Sequence, residues 1–345
     1  MSFDTETLTP DDFADSAAAV MDACAGRDLG EAAAALGEAG MTGILAGEAV
    51  GGLGLPMRYA VPVLTTAGAR RLEVPLLEAL LVARALESVD AALAADVVTG
   101  GTVATVAWDG ALSLRPGGAF RVDGCVGGAI AATRCGVVLA ATEDGAGVLL
   151  RTGQAGVTVE EHPSLDVDRR ACIVTCDGAD VPAGRIVPAE AMTRLALDAS
   201  IGRAAIAIGC ADAAMAMTVE HTTTRKQFGK TLAANQSLRH ALARQLMNIE
   251  GARALLRMAA ARDAADPTEA RAAEVEALRG AVETVEKAIQ LHGGMGFTWE
   301  VPLHRYLRWV RDLQAQGNVD AALLALGTDF IAARAAASAA APAAL

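Results

Sequence analysis

The sequence predicts an α+β, multi-domain fold: an N-terminal helical domain over residues 1–101, a β-barrel-like domain over 102–188 and a C-terminal four-helix bundle over 189–345. Three observations carry this. Segments at both ends repeat apolar residues at spacings of three and four, as Val275, Leu278, Val282, Val285 and Ile289 do. Between them, from Thr102 to Pro188, strand-length apolar runs alternate with turn dipeptides. The 345 residues are enough chain for several domains with a large core.

In chain order, Asp11 and Asp12 can cap a first helix running through Val20 and Met21, and a second spans about Leu29 to Ala39. Gly40 to Pro56 is glycine-rich and reads as a loop with tight turns. Helical periodicity resumes near Tyr59 and continues to about Ala95, broken around Arg71–Pro75. The strand candidates are Val103–Ala107, Phe120–Val122, Val137–Ala141, Val148–Arg151, Val157–Glu160 and Ala171–Cys176. Asp109-Gly110, Pro116-Gly117-Gly118, Asp123-Gly124, Asp144-Gly145 and Asp177-Gly178 punctuate them, which predicts hairpins. After Pro188 the helices lengthen: about Ala191–Thr223, then one carrying Leu238, Leu242, Leu246, Ile249 and Leu256 that stops before Asp266-Pro267. A third runs into Gln290, and a fourth lies near Ala321–Ala333, ahead of an alanine-rich tail expected to fray.

The net charge of −12 argues against a general nucleic-acid binder, which needs a basic surface, but leaves room for a local basic pocket. The acidic N-terminus lacks the basic and apolar regions of a signal peptide, and no uninterrupted apolar run of spanning length is evident. A soluble, cytoplasmic protein is expected. The six cysteines are scattered. Cys172 and Cys176 have a metal-site spacing, but a strand lies between them and no histidine or second pair completes a set, so reduced structural thiols are expected.

Two segments carry chemistry. Gln290-Leu291-His292-Gly293-Gly294-Met295-Gly296-Phe297 ends a helix on a glycine pair, which reads either as a plain C-cap or as a place where a ligand approaches the backbone. Arg225-Lys226-Gln227-Phe228-Gly229-Lys230 lies between two other helices. With Gly47-Glu48-Ala49-Val50-Gly51-Gly52-Leu53-Gly54, these segments resemble the "PEeyGGlG", "RkqFGk" and "QxxGGxGf" motifs of the acyl-CoA dehydrogenases, with Gly47 where proline is usual. The resemblance covers essentially the whole chain. It implies oxidation of the Cα–Cβ bond of an acyl-CoA thioester, FAD as cofactor and electron-transfer flavoprotein as acceptor. It also implies that Arg225, Gln227, Phe228, Gln236, Gln290, Gly293 and Gly294 reach a flavin held by a neighbouring subunit. The chemistry agrees: a pyrophosphate calls for a guanidinium and backbone N–H groups, and the glutamines offer amides.

The family's carboxylate base is missing. Counting on from Pro302 leads to Gly317, and counting back from Arg225 leads to Ala199; a third slot, used by some short relatives, holds Ile206. Asp198 and Asp320 are the nearby carboxylates, each a poor substitute. The strand that carries a tryptophan against the flavin in the family has Gly128 in that place and Ile130 at the hydroxyl position, and the "TEpxaGSD" segment is unrecognisable around Trp108-Asp109-Gly110. Features serving a neighbour's flavin are kept, and those serving the chain's own are eroded. This resembles the shorter subunit of heteromeric α2β2 bacterial enzymes, such as those of steroid side-chain degradation. The alternatives are a self-sufficient homotetramer using Asp198 or Asp320, and a structural homologue without flavin. Ala204, Ala205, Ala207, Gly209 and Ala211 permit either a wide cavity or close helix packing.

Overall fold

A computed structural model describes residues 9–117, 119–262 and 266–340, the last five by backbone alone. The acidic start Met1–Glu6, Gly118 of the Pro116 turn and the tail beyond 340 lie outside the described residues. Five helices form the N-terminal part: α1 (Asp12–Cys24), α2 (Leu29–Glu38), α3 (Met57–Arg70), α4 (Leu76–Leu86) and α5 (Ala91–Val98). Asp28 caps α2 by accepting from the Gly30 amide, and Asp90 caps α5 by accepting from the Leu93 amide. At α1 the Asp11 side chain makes no cap bond; Asp12 instead accepts from the Thr9 amide and hydroxyl. The Gly40–Pro56 loop is packed rather than loose. Leu53 and Leu55 donate back to the Gly43 and Ile44 carbonyls, and Ile44, Leu45 and Ala46 are buried. At Gly52 a Cβ would overlap the Ala46 carbonyl, so the close approach requires glycine.

The central sheet contains β1 (Ala104–Arg115), β2 (Phe120–Ile130), β3 (Val137–Thr142), β4 (Gly147–Arg151), β5 (Val157–Glu161), β6 (Ala171–Val181) and β7 (Ile186–Val187) in the order β5-β6-β2-β1-β3-β4-β7. It is mixed: β1 and β3 run parallel, and the other neighbours are antiparallel. Asp144-Gly145 is a hairpin turn, as expected, with the Gly145 amide donating to Thr142. Asp109-Gly110, Asp123-Gly124 and Asp177-Gly178 are not turns. They lie inside β1, β2 and β6, and the ladder register shifts beside all three. An Asp-Gly pair offers positive φ to a bulge as readily as to a hairpin, and two-residue periodicity does not distinguish them.

The C-terminal part holds α6 (Ala189–Thr224), the small hairpin β8 (Lys226–Gln227) and β9 (Lys230–Thr231), α7 (Gln236–Ala260), α8 (Pro267–His292), α9 (Leu303–Gln316) and α10 (Val319–Ala340). Asp266 caps α8 through the Thr268 and Glu269 amides, with Pro267 at its first position. Helix α9 adds a fifth helix to the four expected, its buried Leu303, Tyr306, Val310 and Leu313 set among arginines. Helix α10 continues to Ala340, past the expected start of fraying.

Helix α6 is the axis of the molecule, packed against α3 on one side and α8 on the other. By length and composition it could cross a membrane, contrary to the reading of the sequence, but 72% of its apolar window is buried inside the protein. Its small residues serve close packing. A Cβ at Gly209 would overlap the Thr65 carbonyl, and one at Gly68 the Ile206 carbonyl, so α3 and α6 meet backbone to backbone. The six cysteines are all free thiols, and Cys172 and Cys176 are buried in β6.

Candidate functional site at the end of the bundle

The two glycine-bearing motifs meet at one end of the bundle. The ring of His221, in the last turn of α6, stacks on that of His292, the last residue of α8, with centroids 4.3 Å apart and planes 22° from parallel. The His292 Nδ1 bonds the Ala288 carbonyl at 2.8 Å, which orients the ring. Burial holds the His221 pKa below its ordinary value, with the His292 and Arg225 charges adding to the effect. Arg225 lies one turn after His221 and its amide donates to the His221 carbonyl, whereas Gly293 directly follows His292. The pair therefore ties the Arg225 segment to the Gly293 turn.

Arg225, Gln227, Phe228, Gln236, Gln290, Gly293 and Gly294 are all exposed. Phe228 sits at φ 51° in the β8–β9 turn with Gly229 at φ 78°, and its ring is 99% exposed. Met295, Phe297 and Trp299 extend this apolar exposure past the glycine turn. Gly293 has φ 62°, and no atom lies within 4 Å of where a Cβ would stand at Gly293 or Gly294. A ligand can thus reach the backbone there. Gly296 is different: its Cβ would press on Ile289, so it is needed for packing. One guanidinium, three amides and an open glycine turn are a donor set that suits a dinucleotide pyrophosphate and its sugars.

The usual base positions converge on something the sequence reading missed. Ala199, Arg203 and Ile206 lie on one face of α6 at spacings of four and three, and Ala199 is fully buried. Arg203 donates from Nε to Glu274 Oε1 at 2.5 Å, with side chains only 6% and 3% exposed. Gly317 abuts this pair: a Cβ there would overlap Glu274 Oε1 and stand 3.3 Å from Arg203 Nε. The space beside Gly317, where the resemblance leads one to expect a base, is therefore filled by a carboxylate from α8 paired with an arginine from α6. Arg203 lies 5.0 Å from the Trp108 ring centroid, and Trp108 Nε1 donates to Glu78 at 3.2 Å. At Gly128 an added Cβ would stand 3.4 Å from Trp108 Cβ and 3.6 Å from its backbone nitrogen, so β1 passes close to this glycine.

The buried polar network continues through α9. Gln316 donates to Asp312 at 2.8 Å; Asp312 is 3.9 Å from Arg169, which also pairs with Asp166 and lies 3.8 Å over Trp309. Burial pushes the Asp312 carboxyl up to about 6 against the pull of Arg169. Beside Glu78, Arg169 and Trp309 a void of about 10 Å³ is left. Of the two carboxylates considered as substitutes, Asp198 is buried and bound by Arg84 and Arg194, each at 3.1 Å, and burial raises its pKa. Asp320 is exposed on the first turn of α10, lining an open cleft with Arg279 and Arg311. The signals for Arg203 and Glu274 were there in the sequence. Arg203 is the one charge in the run Ile201–Cys210, and Glu274 falls a turn from both Ala270 and Leu278 on the apolar stripe of α8.

The model of the acyl-CoA dehydrogenase C-terminal domain matches residues 191–317. FadE27, an acyl-CoA dehydrogenase of Mycobacterium tuberculosis, is 26% identical over 322 residues, covering 85% of this chain and 86% of that protein. IpdE2 of the same organism is 37% identical over 110 residues, which span 32% of this chain and only 34% of IpdE2. Among solved structures, the ChsE4–ChsE5 complex of Mycobacterium tuberculosis superposes with a TM-score of 0.86 at 26% identity, covering 96% of this chain and 99% of the matched one. With helical ends, a central mixed sheet and both motifs in place, the chain has the acyl-CoA dehydrogenase fold, and its residues 191–317 match the C-terminal domain of that family of oxidoreductases.

Proposed function

We propose that this chain is the base-lacking subunit of a heteromeric, FAD-dependent acyl-CoA dehydrogenase and completes a flavin site held mainly by a homologous partner. The observation that carries the reading is a contrast between two places. The Arg225 guanidinium and the Gln227 and Gln236 amides at the end of the bundle are exposed and have no hydrogen-bond partner among the described residues, while the position expected for the base, Gly317, is closed by the buried Arg203–Glu274 pair. The similarity to a chain of the ChsE4–ChsE5 complex supports a two-subunit assembly.

FAD, when bound, supplies the hydride acceptor for oxidation of the Cα–Cβ bond of an acyl-CoA. Arg225 would pair with its pyrophosphate, and the Gly293–Gly294 turn would give backbone N–H groups to the same oxygens. Gln227, Gln236 and Gln290 would hold ribose and phosphate oxygens, and Phe228 would cover the adenine end and exclude water. The proton on Cα would go to a carboxylate of the partner, because Glu274 is only 3% exposed and is engaged by Arg203. Electrons would leave to an electron-transfer flavoprotein. A self-sufficient enzyme is disfavoured: Asp198 is held by two arginines and Asp320 faces an open cleft.

Expression alone and with an adjacent homologous gene product tests this by flavin absorbance. Flavin and acyl-CoA oxidation are expected from the pair alone. Yellow, active protein from the single chain would refute the heteromeric reading, and a colourless pair would favour a structural homologue. In the co-purified pair, Arg225→Ala should lower FAD retention at least ten-fold; unchanged retention would remove Arg225 from the site.

A further inference from the structure

Away from the flavin-type face, a pocket of about 210 Å³ opens where the α1–α2 corner, the end of α3, the turn after β2 and the start of α9 meet. Five of its lining residues are arginines, Arg27, Arg70, Arg71, Arg134 and Arg305, against one carboxylate, Glu73. Asp22 pairs with Arg70 at 2.7 Å, and Asp168 takes Arg305 at 2.6 Å and Arg71 at 3.5 Å. Five cations thus face three anions. Arg27 and Arg134 have no ion-pair partner among the described residues. In a chain of net charge −12, gathering five guanidiniums from four separate elements is costly unless an anion joins them.

The backbone adds an independent observation. Arg71 ends α3 in the left-handed region at φ 53°, ψ 51°, a conformation that glycine adopts freely and other residues at a cost. Its amide closes the helix onto the Gly68 carbonyl, and Leu72 donates to Ala67. This aims the guanidinium back beside Asp168 and the Tyr306 ring, 5.5 Å away. A glycine would cap the helix with less strain but would give no charge to the pocket.

We propose that this pocket binds the phosphate group of a small molecule. Guanidinium forks match a doubly charged tetrahedral oxyanion, and the volume holds a phosphate with a small organic part, not a dinucleotide. The residues are distinct from those assigned to the flavin, so the proposal stands apart from the function above.

The test is calorimetric titration and thermal unfolding of the full chain, co-purified with its partner where one is needed, at constant ionic strength. Inorganic phosphate, glycerol 3-phosphate, malonate and chloride are the probes. Saturable binding and a rise in Tm are expected with the two phosphates and not with malonate or chloride; tighter binding of one phosphate identifies a free ion or an ester as the source. Arg27→Gln with Arg134→Gln, both exposed and outside the ion pairs, should weaken phosphate at least ten-fold and leave the unliganded Tm unchanged. Arg115→Gln, which removes an exposed ion pair in the sheet, should leave binding as it was. Equal binding by the Arg27/Arg134 double variant, equal binding of malonate, or no saturable binding would overturn the proposal.

Discussion

Replacing Glu274 by alanine tests whether the Arg203–Glu274 pair fills the site. The carboxylate is 3% exposed, and its loss would leave the Arg203 guanidinium, 6% exposed, without a counter-ion. Breaking a pair buried to this degree costs about 3–5 kcal/mol, because the remaining charge keeps its desolvation penalty. The Trp108 ring 5.0 Å away recovers only a small part, so about 3 kcal/mol is expected for Glu274→Ala. The double change Arg203→Met with Glu274→Leu removes both charges at similar volume and should be near neutral. Gly317→Ala completes the cycle. The backbone at Gly317 is ordinary helical, φ −81°, ψ −6°, so a Cβ meets no conformational barrier; its cost comes from overlap with Glu274 Oε1. In the wild type that overlap should cost about 1–3 kcal/mol. In the Glu274→Ala background the space is free, and the cost should fall by at least about 1 kcal/mol. Urea titrations followed by tryptophan fluorescence read all four variants, since Trp108 and Trp309 border the network. If Gly317→Ala costs the same in both backgrounds, or Glu274→Ala costs under about 1 kcal/mol, the pair does not occupy the base position as described.

Two further outcomes follow from the packing and the charges. Asp312 has its pKa raised from 3.8 to about 6, so the native state binds the proton more tightly than the unfolded chain; stability is fully present at low pH and falls as pH rises through 6. Asp312→Asn should therefore gain on the wild type across this window by up to about 3 kcal/mol, less what Arg169 loses, as read by denaturation at pH values from about 4 to 8; a pH-independent difference would contradict the assignment. Gly209→Ala should destabilise by about 2 kcal/mol or more through overlap with the Thr65 carbonyl, whereas Gly251→Ala, exposed on α7 with nothing within 4 Å, should stabilise by about 0.5–1 kcal/mol; Tm shifts of the same sign would refute the contrast.

What could be read from the sequence depended on the range of the signal. The long helices α7 and α8 were legible because apolar residues recur at helical spacing along one face of each. Helix α9 was missed although Leu303, Tyr306, Val310 and Leu313 recur at spacings of three and four; the charges on its other face, Arg305, Arg311 and Asp312, find partners on other elements. The Asp-Gly pairs inside β1, β2 and β6 were legible as positive φ but not as bulges, since that choice is made by the neighbouring strand.

The same limit governs the site. Motif spacing pointed to Gly317 as the expected base position and to Arg225 and Gly293 as candidate donors, each of which is local in the chain. It could not show what fills the space beside Gly317. Arg203 and Glu274 are 71 residues apart and come together only through the packing of α6 on α8. Read alone, Gly317 is an expected base position without a carboxylate. Read with Glu274 against it, Gly317 is a position where any side chain must displace the Glu274 carboxylate. Placing a glutamate at 317 therefore requires removing Glu274 and Arg203 together, because a second carboxylate beside the first would sit within repulsive distance in a dry site with one guanidinium between them.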